Sequence, residues 1–293
     1  MTTFAEYVSR RKGEAFGGDG ASRYAYAADV AMLRTFRNIK PVELAVAAVV
    51  RMFKDVQRNK LLGTMIRVGP EQFPSIYAVA EHCARRLDVP VPTIYVANSP
   101  VINAYTFGTD EESFIVVHGA LVDHFDEEEL KFVIGHETGH IQNKHVVYGT
   151  ALILMERSVG AFLRWVLPPA ELALQAWYRR AEVTCDRAGL LCVDDPRAPA
   201  RAFLKMACGS KKLYDEINPD AYLAQLEEGR TGLGRFSELF ASHPYLPKRI
   251  QALRVFEESA LYREFSGAGD GGLPMDEVDR RTGDIIQVVA GAA

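Results

Sequence analysis

Leu130, Val133, Ile134 and Ile141 recur at helical spacing, and the pattern predicts one helix over 126–147. Asp126 stands where an N-cap belongs, and Glu129, three residues on, completes a capping box. Gly135 and Gly139 interrupt this helix. Each costs roughly 1 kcal/mol against Ala in a helix interior, so both are expected where another element approaches closely. Upstream, short apolar runs at 93–96, 103–107 and 113–117 read as strands. The turn residues Asn98-Ser99-Pro100 and Gly108-Thr109-Asp110 separate them, as in an antiparallel meander. Helical patterns cover 23–38, 41–61, 74–87, 169–193, 197–208, 219–228 and 247–256. The stretch 13–22 is glycine-rich, and 266–293, rich in Gly and Asp, is expected to be a weakly held tail.

These elements predict an α+β fold that is mostly helical, with a small antiparallel sheet beside the 126–147 helix. The expected organisation is a helical N-terminal extension over 1–75 packed on a main domain over 76–265, followed by the tail 266–293. The chain has 293 residues, 48% of them hydrophobic, and a formal net charge of -4, which is ordinary globular composition. With no basic excess, nucleic acid is not expected as a partner. Cys83, Cys185, Cys192 and Cys208 form no CxxC pair, so neither a cysteine metal site nor a disulfide framework is signalled. Cys185 and Cys192 are expected to be small core residues.

The most apolar stretch, 149–167, is broken by Glu156, Arg157 and Arg164 and ends at Pro168-Pro169. A spanning helix needs about 20 mostly apolar residues, and central charges are costly, so no transmembrane segment is expected. The apolar run 42–50 is far too short to span. A peripheral contact with a membrane surface through 149–167 or 45–50 stays open. Residues 1–16 carry charges and no apolar core segment, which predicts no secretory signal and a soluble cytoplasmic location.

The chemistry enters with His136-Glu137-Thr138-Gly139-His140, an HExxH motif on the long helix. Residues four apart stand one turn above the other, so both imidazoles can reach one metal ion. Glu137 can face the same cleft and take a proton from water. The five letters would also suit a charged turn on a surface helix. The apolar setting argues against that, because buried polar groups need partners. Two imidazoles do not complete a catalytic zinc site, which adds a third His or a carboxylate and keeps one position open. His145 follows on the same predicted helix, cannot easily turn back, and is expected at a helix end or in solvent. Glu182 and Asp186 share one face of a later helix, where their like charges repel slightly. Zinc resolves the conflict if Glu182 ligates it and Asp186 accepts the free N–H of a ligand imidazole.

HExxH followed by ExxxD on a later helix resembles the zinc metallopeptidases of the HtpX and CAAX prenyl endopeptidase kind, a gluzincin type with a zincin-like domain. Two further pieces agree. Ser242-His243-Pro244 with Arg249-Ile250 is similar to the family's late His-Pro…Arg segment, and Asn103-Ala104-Tyr105 with Gly108 resembles its Asn-Ala strand beside the cleft. The resemblance runs from about 76 to 253. It implies one zinc held by His136, His140 and Glu182, with Glu137 as general base and Asp186 behind the ligands. It also implies His243 and Arg249 near the substrate carbonyl, and Asn103, Ala104 and Tyr105 along a protein or peptide substrate. Many relatives carry spanning helices, where this chain has only the broken stretch 149–167. The activity implied is that of a zinc metalloendopeptidase. The rival reading is a zinc-binding protein of the same fold that regulates or binds without turnover.

Overall fold

A computed structural model of the chain describes residues 22–38, 63–109, 112–158, 168–229 and 243–287. The expected helix at 41–61, the glycine-rich 13–22 apart from its last residue, and 159–167 lie outside them. So does the run 42–50.

The capping box forms as the sequence announces. Asp126 Oδ1 accepts from the Glu129 N–H at 2.9 Å, and Glu129 Oε2 accepts from the Asp126 N–H at 2.9 Å. Preceding elements are α1 (Ala27–Asn38), β1 (Ile66–Arg67), α2 (Pro74–Arg86), β2 (Thr93–Ala97), β3 (Ala104–Gly108), β4 (Ser113–His118) and α3 (Gly119–His124). The capped helix, α4 (Glu127–Gln142), stops sooner than its periodicity suggests. Asn143 ends it and Lys144 adopts a left-handed φ of 61°. The His145 N–H then bonds the His140 carbonyl at 3.0 Å and the Lys144 N–H bonds that of Ile141 at 3.3 Å, the paired bonds of a Schellman turn. Only after it does α5 (Val146–Ser158) begin, so the single helix expected over 126–147 is two.

The strands form a four-stranded sheet in the order β1-β2-β4-β3. β3 and β4 pair antiparallel, Ala104 opposite Val117, but β2 and β4 run parallel with Thr93 opposite Phe114. The sheet is therefore mixed, and the antiparallel meander is corrected. Ile115, Val116 and Val117 are consecutive and fully buried. Such an unbroken apolar run belongs in a central strand covered on both faces, and placing β4 there displaces β3 to the edge.

The long α6 (Pro168–Cys192) crosses α4 at close range. A Cβ on Gly135 would stand 2.7 Å from Cys192 Sγ, one on Gly139 2.7 Å from Ala188 Cβ, and one on Gly189 2.6 Å from the Phe132 carbonyl. Three glycines thus let the two helices touch, as expected for two of them. Cys185 and Cys192 are buried at this seam as free thiols.

Downstream lie α7 (Ala198–Cys208), a 3-10 turn at Lys211–Glu216, α8 (Pro219–Gly229), α9 (Leu246–Glu257), α10 (Ala260–Ser266) and α11 (Met275–Ile286). The last corrects the expectation of a loose tail. Val278 and Thr282 on α11 are fully buried, and Asp279 Oδ1 lies 2.8 Å from the buried Arg187. Four of the six glycines that suggested disorder fall at 267–272, a connection where 267, 269, 271 and 272 have positive φ, whereas three of the four Asp lie on α11 itself. Among the described residues no helix is long and apolar enough to cross a membrane.

Candidate metal centre

The α4–α6 crossing sets the geometry of the site. His136 and His140 project from one face of α4 with ring centroids 5.0 Å apart, and Glu182 reaches them from α6. His140 Nε2 lies 3.3 Å from Glu182 Oε1, and His136 Nε2 lies 3.5 Å from Oε2. The three side chains offer ligand atoms that all fall within 4.8 Å of one another. Zinc bonded at about 2.0–2.2 Å in a tetrahedron spaces its ligands about 3.3–3.6 Å apart, and both imidazole–carboxylate distances fall in that range.

Glu182 supplies the second test of fit. Both carboxylate oxygens are buried and, among the described residues, neither receives a hydrogen bond, although Arg249 Nη2 lies 3.1 Å from Oε2. Burial alone would push this carboxyl up, yet His243, Arg249 and His136 outweigh it and hold it well below the usual range. Burial likewise lowers the His136 imidazole, but Glu182 and Asp186 more than reverse this and push it up to about 10. A charged carboxylate facing two imidazoles fits the donor set that a divalent cation would take, and such binding would displace the imidazole proton.

Behind these groups, His136 Nδ1 is 2.9 Å from Asp186 Oδ1. Arg249, from α9, donates to both oxygens of Asp186, Nε at 2.8 Å to Oδ2 and Nη2 at 2.5 Å to Oδ1. Burial would raise the Asp186 carboxyl, and Arg249 and His136 together bring it below its ordinary value. Arg249 is thus placed behind the imidazole and carboxylate, its guanidinium 4.6 Å from the centre of the Phe203 ring. It is buried, at 5% exposure.

His243 stands on the open side, with Nε2 3.6 Å from Glu182 Oε1 and its ring edge-on to Tyr178. Asn103, Ala104, Glu137, His243 and Met206 line one cleft with the two carboxylate-facing groups, His136 and Arg249. Tyr105 turns to the other face of the sheet, where its ring meets His118 at 5.9 Å.

Two residues at the site went unnoticed in the sequence, and a third was expected elsewhere. Thr106 Oγ1 donates to Glu137 Oε2 at 2.6 Å. Tyr178, one turn before Glu182 on α6, lies flat against His140 with centroids 5.4 Å apart and planes at 9°. Its four-residue spacing from Glu182 was the available signal. His145 is the third: the Schellman turn folds it back, and it is buried at 1% exposure instead of facing solvent.

A helix bearing two imidazoles and an acid, crossed by a carboxylate-bearing helix beside a sheet edge, defines a zincin-like peptidase domain. A family model described as peptidase family M48 matches residues 70–257, and the chain belongs to that family. It is 35% identical over 178 residues to a plastoglobule-localized metallopeptidase 48, chloroplastic, of Arabidopsis thaliana. That match covers 59% of this chain and 52% of the Arabidopsis protein, so the chain spans about half of that relative. It is 25% identical to a protease HtpX homolog of Trichormus variabilis, over 74% of this chain and 86% of that one. A protease HtpX homolog of Thermococcus kodakarensis is 27% identical, over 67% and 78%.

Proposed function

We propose that the chain is a zinc-dependent metalloendopeptidase acting on protein or peptide substrates. The observation that carries this reading is the pair of buried Glu182 oxygens, without hydrogen bonds among the described residues, 3.3 and 3.5 Å from the Nε2 atoms of His140 and His136. His136, His140 and Glu182 would hold the zinc. When bound, it supplies a Lewis acid that polarises the scissile carbonyl and lowers the pKa of a water toward neutrality.

The protein's own groups carry the rest. Glu137 accepts the proton of the attacking water and passes it to the leaving amine, with Thr106 holding its carboxylate. His243, on the open side of the site, donates to the oxyanion that develops on the carbonyl. Asp186 keeps the His136 proton on Nδ1, which leaves Nε2 as the donor atom. Arg249 neutralises both buried carboxylates and keeps them in place. β3, at the edge of the sheet beside the cleft, offers backbone groups to an extended substrate through Asn103 and Ala104.

Elemental analysis of metal-replete protein tests the first half of this reading, with one zinc per chain expected. Cleavage of an unfolded protein, abolished by a chelator and restored by zinc, tests the second. Protein without zinc, or chelator-resistant cleavage, would refute it.

A further inference from the structure

Asp29 and His145 have no part in the chemistry above, and Asp29 lies outside the 70–257 family match. Both are nevertheless buried, at 1% exposure each. His145 Nδ1 comes to 3.3 Å from Nδ1 of His140, the ring nitrogen facing away from Glu182. The other nitrogen of His145, Nε2, lies 3.0 Å from Asp29 Oδ2 on α1. Asp29 is anchored in turn: Trp177 Nε1 donates to Oδ1 at 2.8 Å, and Thr184 Oγ1 donates to Oδ2 at 2.7 Å. The ring of Trp177 also meets that of His145 edge-on, with centroids 5.6 Å apart. Resting on the zinc reading for His140, we propose that Asp29 and His145 are positioning residues that fix the tautomer and ring plane of His140.

The argument follows the protons. A carboxylate only accepts, so with Nε2 3.0 Å from Asp29 Oδ2 and no other partner for that nitrogen among the described residues, the His145 ring proton belongs on Nε2, which leaves a lone pair on Nδ1. That lone pair accepts the Nδ1–H of His140. His140 then carries its one proton on Nδ1 and presents the Nε2 lone pair toward Glu182 and the zinc position. Cys185 Sγ lies 3.5 Å from the same His145 nitrogen, but a thiol is a weak donor and the imidazole N–H has the stronger claim. Each ligand imidazole is thereby oriented by a carboxylate. His136 meets Asp186 directly, and His140 meets Asp29 through an intervening imidazole. A helix of the N-terminal extension contributes in this way to the metal centre.

Asp29→Asn isolates the effect because it keeps shape and removes one acceptor. Trp177 can only donate, so it claims the amide oxygen and turns the NH2 toward His145. His145 must then protonate Nδ1, and two N–H groups face each other across 3.3 Å. We expect Asp29→Asn to fold and to bind zinc roughly 10–100-fold more weakly in chelator competition, as loss of a ligand's outer partner does. In zinc-loaded wild type, imidazole 15N shifts should report His145 protonated at Nε2 and bare at Nδ1, and this readout needs no variant. The opposite tautomer there would overturn the proposal, as would wild-type zinc affinity in Asp29→Asn while Glu182→Ala loses zinc. If Glu182→Ala also kept its zinc, the zinc reading itself would fail. A second zinc equivalent, lost in Cys185→Ala, would make His145 a ligand and would also overturn the proposal.

Discussion

Thr106 Oγ1 donates a 2.6 Å hydrogen bond to Glu137 Oε2, tying the acid of the HExxH motif on α4 to the edge strand β3. The hydroxyl also lies 3.1 Å from the Glu137 carbonyl. A hydrogen bond to a charged group is worth about 1.5–3 kcal/mol, or roughly 10–100-fold in rate if it is needed for the aligned state. Thr106→Val keeps the β-branched shape, so kcat should fall by that factor with zinc content little changed. An unaltered kcat would show that Glu137 needs no such anchor.

Glu137→Gln separates turnover from metal binding. Glu137 is not among the side chains grouped around the metal position, so zinc should stay bound. The amide cannot accept the proton of water, a step worth roughly 10²–10⁴-fold. Cleavage should drop to near background while peptide binding survives. Wild-type cleavage by this variant would end the mechanism proposed here and leave the non-catalytic reading standing.

The two carboxylates of α6 should respond differently. Glu182→Ala removes a donor and should abolish tight zinc binding. Asp186→Asn should weaken it by on the order of 10–100-fold, because Asp186 orients His136 and pairs with Arg249 but is not itself a donor to the zinc. Zinc titration of both variants gives the order, and the reverse order would exchange their roles.

His243→Ala should leave zinc bound and lower kcat by roughly 10²-fold, the loss that follows removal of a donor to the oxyanion. Steady-state kinetics decide it. A raised KM at unchanged kcat would make His243 a substrate contact.

Lys144 holds a left-handed φ of 61° in the turn that returns His145 to the site. Glycine adopts that conformation without the Cβ penalty, so Lys144→Gly should stabilise the fold by about 0.5–1 kcal/mol. Thermal unfolding should show a raised Tm, and a lowered one would mean that the Lys144 side chain contributes more than its strain costs.

The features legible in the sequence are those whose range is one helical turn or less. The four-residue spacing of His136 and His140, the capping box at Asp126 and Glu129, and the shared face of Glu182 and Asp186 all follow from 3.6 residues per turn. Gly135 and Gly139 announced a close neighbour, because glycine inside a helix is costly unless something occupies the space. What periodicity could not supply was the identity of that neighbour. The packing of Cys192 and Ala188 against those glycines decides that Glu182 meets the two imidazoles. The C-terminal end of α4 was equally hidden: a Schellman turn closed by a lysine carries no glycine signal, so His145 read as a residue of the same helix, at its end or in solvent. The parallel pairing of β2 with β4, the docking of α11 and the approach of Asp29 to His145 join residues far apart in the chain. Such contacts form because they bury apolar surface and pair buried polar groups in three dimensions, and no local pattern encodes them.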